Sequence, residues 1–407
     1  MDYDYSPSVW KKLVYAATVS HSFEEAEQHL DKLAELKISK QRIHRASERI
    51  GNERVAEREQ QTAAFLKLTL PEQRQSPNGV SPPVACVQMD GGRIQLRARQ
   101  PADPDAEEEQ PDGLWHEVKA GVLLSMTSQV SLEDPCPLLP ETFVDPGRMS
   151  QIAREIKGVA GESPPAEAEA PEPKEPIKDR PGRPKALVKT VVATCAAVGI
   201  FGPLLAAAAH ARGFAAATRK AFVADGSSTN WGVWRKFFSH YTPILDFIHA
   251  LCYVYAAAMA GRPPDAGWAI YRQWAQWVWS GQVDLVIAAL EQRQQELGLP
   301  EKSDSKTLPR KQVADTLGYL CNQRSRMKYD EYRKQGLPIT SSYIESIVKQ
   351  INRRIKGTEK FWDKGAEPML ALVADHISET EPLEAFWQKR PQGLNGLRSY
   401  HTVDTAA

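Results

Sequence analysis

The sequence predicts an α/β fold with a helical unit ahead of the sheet and a long helical stretch set into it. Three observations predict this. Short β-rich runs separated by turn residues occupy residues 84 to 126. Two apolar runs, "KAFVADG" and "TPILDFIHA", each reach an Asp and enclose a helical segment, which is an α/β pattern. From Ala250 to Gly336 the chain then reads helical throughout.

Composition bounds what such a fold can do. A chain of 407 residues suits two to three domains. With 42% hydrophobic and 25% charged residues it is ordinary globular protein. The net charge of +0 means that no whole-molecule field draws it to DNA or to an anionic membrane, so any nucleic-acid surface must be local. Five cysteines, Cys86, Cys136, Cys195, Cys252 and Cys321, lie far apart with no C-x-x-C pair. That argues against a disulfide framework or a zinc ribbon and for a reducing compartment. The start, "MDYDYSPSVW", is acidic and polar where a signal peptide has a basic region, so a cytoplasmic location is expected.

Residues 1–70 read as a helical, helix-turn-helix-like unit. "SFEEAEQHL" begins at a Ser22 cap, and "ISKQRIHRASERIG" follows as a second short helix ending in Gly51. From Leu36 to Arg58 there are seven Lys or Arg against three Glu. Lys40, Gln41, Arg42 and Arg45 are therefore candidates for a DNA-reading helix, with a solvated helix face as the alternative.

Residues 84–160 read as the first part of a core of three strands. "VACVQMDGG" and "RIQLRAR" form an expected hairpin through Gly91-Gly92, and "HEVKAGVLLSM" gives the third strand. The acidic "PDAEEEQPD" reads as a loop. Residues 161–185, rich in Pro, Glu, Lys and Arg, read as a linker or disordered insert.

Residues 186–249 read as the second part of the core. The stretch from Val191 to Ala209 has nineteen residues without a charge, long enough to be a membrane-span candidate. It is mostly Ala with a central Gly-Pro, so the expectation is a β-rich piece, Leu187–Ala193, and a buried helix near Ile200–Arg212. Residues 250–336 form the helical insertion, where Trp268, Tyr271, Trp274 and Trp277 recur at spacing three. Such a stripe is more often core than a ligand platform. Residues 337–390 carry a last helix and a further helical segment, and 391–407 a tail.

Three carboxylates stand out by position. Asp90 and Asp225 each end an apolar run directly before a Gly, where Asp is a poor strand residue and ligands often collect. A turn-starting Asp is the plain alternative for either. Glu345 opens the helix "SSYIESIVKQINRRIKG". It has a plain explanation too: Ser342 and Glu345 have capping-box spacing, and Lys349 lies four residues on. Ile344, Ile347, Val348, Ile351 and Ile355 give that helix a buried side. Three acids brought to one sheet edge repel unless a cation sits among them, and two Mg²⁺ ions can play that part.

The order of these elements resembles the ribonuclease-H-like core of DDE transposases. The segments "VQMDGGRIQL", "LWHEVKAGVLLSM", "KAFVADGSSTNWGVW", "TPILDFIHALCYVY" and "LPITSSYIESIVKQINRRIKGTEKFW" resemble bacterial insertion-sequence transposases of the ISKra-type group. The resemblance covers roughly residues 84–390. It implies a mixed sheet with a large all-helical insertion before the last acid. It further implies Asp90, Asp225 and Glu345 as a catalytic triad holding two Mg²⁺ ions, with Mn²⁺ as a substitute. Asp246 and His249 match a D-x-x-H signature of such families, although His249 equally suits a satisfied core histidine.

On this resemblance the chain is expected to bind terminal inverted repeats and target double-stranded DNA, as a homodimer or larger assembly. Strand hydrolysis and transfer are the implied chemistry. Lys349, Arg353, Arg354 and Lys356 become candidate phosphate contacts, and Trp274 and Trp277 candidate accessory groups against a distorted DNA end. Two rivals remain at this stage. One is a non-catalytic DNA-binding repressor derived from a transposase, and the other a structure-specific nuclease of the same fold.

Overall fold

The computed structural model describes residues 5–95, 115–157, 182–356, 362 and 365–393. It is an α/β structure built on a mixed five-stranded sheet. Four helices come first: α1 (Pro7–Val19), α2 (Phe23–Ala34), α3 (Lys40–Leu66) and the short α4 (Leu70–Gln73). Then follow β1 (Val84–Gln95), β2 (Trp115–Thr127), α5 (Pro146–Lys157) and β3 (Lys185–Thr194). The second half of the sheet alternates as α6 (Val198–Ala211), β4 (Arg219–Ala224), α7 (Ser228–Phe237) and β5 (Thr242–Leu245). The insertion comprises α8 (Phe247–Met259), α9 (Pro264–Trp279), α10 (Val283–Leu297), α11 (Pro309–Gln323) and α12 (Tyr329–Lys334). The chain closes with α13 (Ser342–Ile355), α14 (Ala366–Ile377) and α15 (Pro382–Gly393).

The strand order is β3-β2-β1-β4-β5, with β1, β2 and β3 antiparallel and β4 and β5 parallel to β1. The central position of β1 follows from its sequence. Val84, Ala85, Cys86, Val87 and Gln88 are all fully buried, and an unbroken apolar run suits a strand covered on both faces.

The expected hairpin at Gly91-Gly92 does not form. β1 runs straight through both glycines, with Gly91 opposite Lys119 and Gly92 opposite Val118 on β2. Neither glycine has the positive φ that a tight hairpin turn requires. Asp90 therefore lies inside a strand and not at its end. The rest of "RIQLRAR" and the acidic "PDAEEEQPD" lie outside the described residues, as does the Pro-rich stretch from 158 to 181. The third strand of the sheet is β3, the β-rich piece expected over Leu187–Ala193.

The N-terminal helices differ from expectation in one respect. Ser22 caps α2, accepting from the Glu25 amide at 3.0 Å, as its sequence predicts. The next helix, however, does not stop at Gly51 and continues to Leu66. Gly51 serves packing instead of termination: a Cβ there would stand 2.5 Å from the Cβ of Pro368 on α14. The nineteen uncharged residues divide between the end of β3 and α6, and no helix among the described residues is long and apolar enough to cross a membrane.

Candidate active site

Asp90 and Asp225 are neighbours because β1 and β4 are. Gln88 pairs with Val223 in the parallel register, so two residues further on Asp90, still within β1, lies beside Asp225, which follows the end of β4. Helix α13 supplies Glu345, close enough to Asp90 for that charge to act on it. The Gln88 side chain fixes this helix at its start, its Oε1 accepting from the Ile344 amide at 3.1 Å and its Nε2 donating to the Thr340 carbonyl at 3.0 Å. Further along, the space above Gly92 is bounded by Val348 and Asn352, each 3.8 Å from where a Cβ would be. Eight residues of helix and four of strand both span about 12–13 Å, so α13 tracks β1 and holds Glu345 near Asp90.

The expected capping box is absent. The residue before α13 is Ser341, which puts Ser342 at the first helical position and shifts Glu345 one place beyond reciprocal capping geometry. Glu345 instead accepts a long bond from the Ser341 hydroxyl, at 3.4 Å. Among the described residues it makes no ion pair with Lys349.

What each carboxylate already binds decides what it can still bind. Asp90 Oδ1 accepts from the Gly91 amide at 2.7 Å. Asp225 Oδ1 accepts from the Ser227 amide at 2.9 Å and from Asn230 Nδ2 at 2.8 Å. Among the described residues each aspartate thus keeps its second oxygen without a protein donor, and Glu345 is committed only weakly. Asp246 is the opposite case. It is completely buried, Oδ1 accepting from the Ser341 amide at 2.7 Å and Oδ2 from the His249 amide at 2.9 Å and Nδ1 at 2.6 Å. Asp246 caps α8 and joins it to the residue before α13, so it orients the site from behind.

The acids perturb one another. Burial, with the charges of Asp225 and Asp246, raises the Asp90 carboxyl above its usual range, against the Gly91 amide and His249. Burial likewise raises Glu345, helped by Asp246 and Asp90 and opposed by His249 and Lys349. For His249, burial works against the charged form. The hydrogen bond and charge of Asp246, reinforced by Asp225 and Glu345, outweigh it and push the imidazole up to about 9. His249 is therefore an imidazolium at neutral pH and partly offsets the negative charge around it.

Asp246, His249 and Glu345 can each offer one atom within 4.8 Å of the others. Within that trio both Asp246 oxygens and His249 Nδ1 accept or share hydrogen bonds inside the protein, which leaves His249 Nε2 and the Glu345 carboxylate as the groups open to a ligand. Asp90, Asp225 and Glu345 are three hard carboxylates, two of them with proton affinity raised chiefly by burial, but among the described residues they do not form a group whose ligand atoms all lie within 4.8 Å of one another.

A cleft of about 520 Å³ opens on Asp90 and Asp225, floored by the Gly91-Gly92 backbone. Arg93, Lys119 and Lys356 stand along it. Lys119 is buried and pairs with Glu117 at 3.0 Å. A larger hollow of about 1060 Å³ lies elsewhere, between α1, α2, α14 and α15, and is mostly apolar.

The basic residues of the last helix divide by face. Lys349, Arg353 and Lys356 are exposed. Arg354 is not available to a phosphate. It is buried beneath the N-terminal helices, with Nε donating to the Ala17 carbonyl at 2.7 Å and its guanidinium over Phe23 and Trp362. Burial pushes it down to about 10. Lys40, Gln41, Arg42 and Arg45 are exposed at the start of α3, where Lys40 pairs with Glu24 at 3.3 Å. Trp274 is core, 4% exposed, and cannot stack on a base as it stands; Trp277 is half-buried.

Gln88, Asn230, Arg93 and Lys119 were not anticipated from sequence. A buried Gln and a Lys in otherwise apolar strands were the available signals. No protein-family model matches the chain, and no curated protein matches it as a relative.

Proposed function

We propose that this chain is a DDE transposase of a bacterial insertion sequence, with a ribonuclease-H-like catalytic core. The observation that carries this reading is that Asp90 and Asp225, from the neighbouring strands β1 and β4, line one cleft, with Glu345 of α13 close enough for the charge of Asp90 to act on it. The sheet supports it as well, since a long central strand lies between an antiparallel pair and a parallel pair.

In this reading Asp90, Asp225 and Glu345 hold Mg²⁺, two ions with Mn²⁺ as a substitute, which when bound activate the attacking oxygen and stabilise the leaving oxygen of an in-line phosphoryl displacement. The chain's own residues do the rest. Arg93 and Lys356 line the cleft and receive the phosphodiester backbone, with Lys349 and Arg353 extending the basic surface along α13, while the buried Lys119 stays paired with Glu117. The bare Gly91-Gly92 backbone lets a strand approach closely. Asp246 keeps α8 and α13 in register, and the His249 imidazolium holds a proton beside the acids.

Two displacements follow. Water attacks a phosphodiester at the element end and releases a 3′-OH; that 3′-OH then attacks target DNA and displaces a second 3′-oxygen. No covalent protein–DNA intermediate forms. The partners are terminal inverted repeats and target duplex, and pairing of two ends calls for a homodimer or larger assembly, in a bacterial cytoplasm.

The test is strand joining. An oligonucleotide ending in the element's terminal repeat with a free 3′-OH is incubated with plasmid and Mg²⁺. Joined products are expected. Hydrolysis without joining would leave a structure-specific nuclease, and binding with neither reaction would leave a repressor.

A further inference from the structure

Helix α11 of the insertion grips the turn that carries Asp225. Tyr319 and Gln323 stand four residues apart and so share one face of the helix. The Tyr319 hydroxyl donates to the Asp225 carbonyl at 2.7 Å, and Gln323 Nε2 donates to the Gly226 carbonyl at 3.0 Å. The fit is close: Gly226 has φ +97, and a Cβ on it would stand 2.9 Å from the Tyr319 hydroxyl oxygen. Glycine is the residue that accepts both the backbone angle and the approach.

Tyr319 is itself held in place. Its ring stacks on Tyr253 of α8, with centroids 3.6 Å apart and planes 3° from parallel. Thr316, one turn earlier, donates to the Tyr253 carbonyl at 3.2 Å. Helix α12 does a similar service one strand over, where the Tyr329 hydroxyl donates to the Leu245 carbonyl, directly before Asp246, at 3.0 Å. The insertion therefore meets the sheet through side-chain donors aimed at strand-end carbonyls beside two aspartates.

We infer that Tyr319 and Gln323 are positioning residues for Asp225, through which the helical insertion sets the direction of that carboxylate. The main chain of residues 225–226 is held from the insertion side, while Ser227 and Asn230 hold Oδ1 from the α7 side. Between them they leave the second oxygen one direction in which to point. Neither residue needs to touch substrate. The inference rests on the proposed role of Asp225 as a metal ligand, and it gives the insertion a share in building the site.

The test is Mn²⁺ binding to the full chain without DNA, by titration calorimetry. It compares wild type with Tyr319→Phe, Gln323→Met, the double variant and Asp225→Asn. Cys321→Ser, an exposed change on the same helix, is the control. Unfolding midpoints are recorded in EDTA. The double variant is expected to bind Mn²⁺ about 10–100-fold more weakly, as for other groups that orient a ligand, with an unfolding midpoint close to wild type. Tyr319→Phe, which keeps the ring stack, is expected to fall between and decides the matter if the double variant does not fold. Wild-type affinity in Tyr319→Phe and Gln323→Met overturns the inference. Asp225→Asn binding as tightly as wild type, or no binding by wild type, overturns the ligand role of Asp225 and this inference with it.

Discussion

Asp225 and Asp246 leave the ends of neighbouring parallel strands, each after an apolar run, and look alike in sequence. Their surroundings separate them. Asp246 is fully buried and accepts three hydrogen bonds from Ser341 and His249, so both its oxygens are engaged inside the protein. Asp225 is half-buried, has one oxygen fixed by Ser227 and Asn230, and keeps the other toward the cleft. One acid holds the frame and the other is left able to hold something else. The difference teaches that two carboxylates alike in sequence at a strand end can differ in chemical availability.

The sharpest way to break this comparison is to neutralise each acid in turn. Asp225→Asn is expected to lower Mg²⁺-dependent DNA cleavage by about 10³-fold or more, the scale of several kcal/mol of lost transition-state stabilisation. Its unfolding midpoint should stay near that of wild type. Asp246→Ala should do the reverse in stability, costing about 3–5 kcal/mol by denaturant unfolding, because it leaves the Ser341 amide and the half-buried His249 without their shared partner. Equal stability losses in the two variants would erase the distinction.

pH sharpens it further. The folded-state proton affinity of His249 is raised, from 6.5 to about 9. Its contribution is therefore fully present below about pH 6.5 and is lost as pH rises through about 9. Asp90 and Glu345 are also raised, so they too favour the folded state at low pH, but their loss begins in the acid range. In EDTA, stability should fall as pH rises from 6.5 to 9, and His249→Gln should flatten that part of the curve. An unchanged slope in His249→Gln would show that Asp246 does not hold a charged partner.

The smallest effects lie along α13 and separate frame from surface once more. Arg354→Ala should cost about 1–3 kcal/mol of stability through the lost carbonyl bond and aromatic contacts, with little change in the salt dependence of DNA binding. Lys356→Ala should leave stability within about 0.5 kcal/mol and reduce the slope of log affinity against log salt by about 1. The opposite pattern would exchange their roles.

The sequence singled out the candidate acids more readily than it showed what places them. Asp225 was legible because an Asp-Gly closing an apolar strand is a local signal. Asp90 was singled out on the expectation of a turn, yet it sits within a strand that continues through two extended glycines. Strand pairing decides between those conformations, and pairing is not local. Arg354 shows a missed local signal. It lies seven residues after Ile347 and three after Ile351, on the apolar stripe, whereas Lys349 and Arg353 fall on the opposite face. The helical insertion was legible as helices, but the approach of Tyr319 to Asp225 joins residues 94 positions apart, which no periodicity reports. Of the aromatic stripe of α9, Tyr271 and Trp274 are core, while Trp268 and Trp277 are half-buried against it.

The most direct measurement of the central claim is cleavage of supercoiled plasmid carrying the element's ends, with wild type, Asp90→Asn, Asp225→Asn and Glu345→Gln compared in Mg²⁺, Mn²⁺ and EDTA. The account predicts cutting by wild type with either metal and none in EDTA. It predicts three folded variants that each fail to cut. Cutting by all three at the wild-type rate would contradict it.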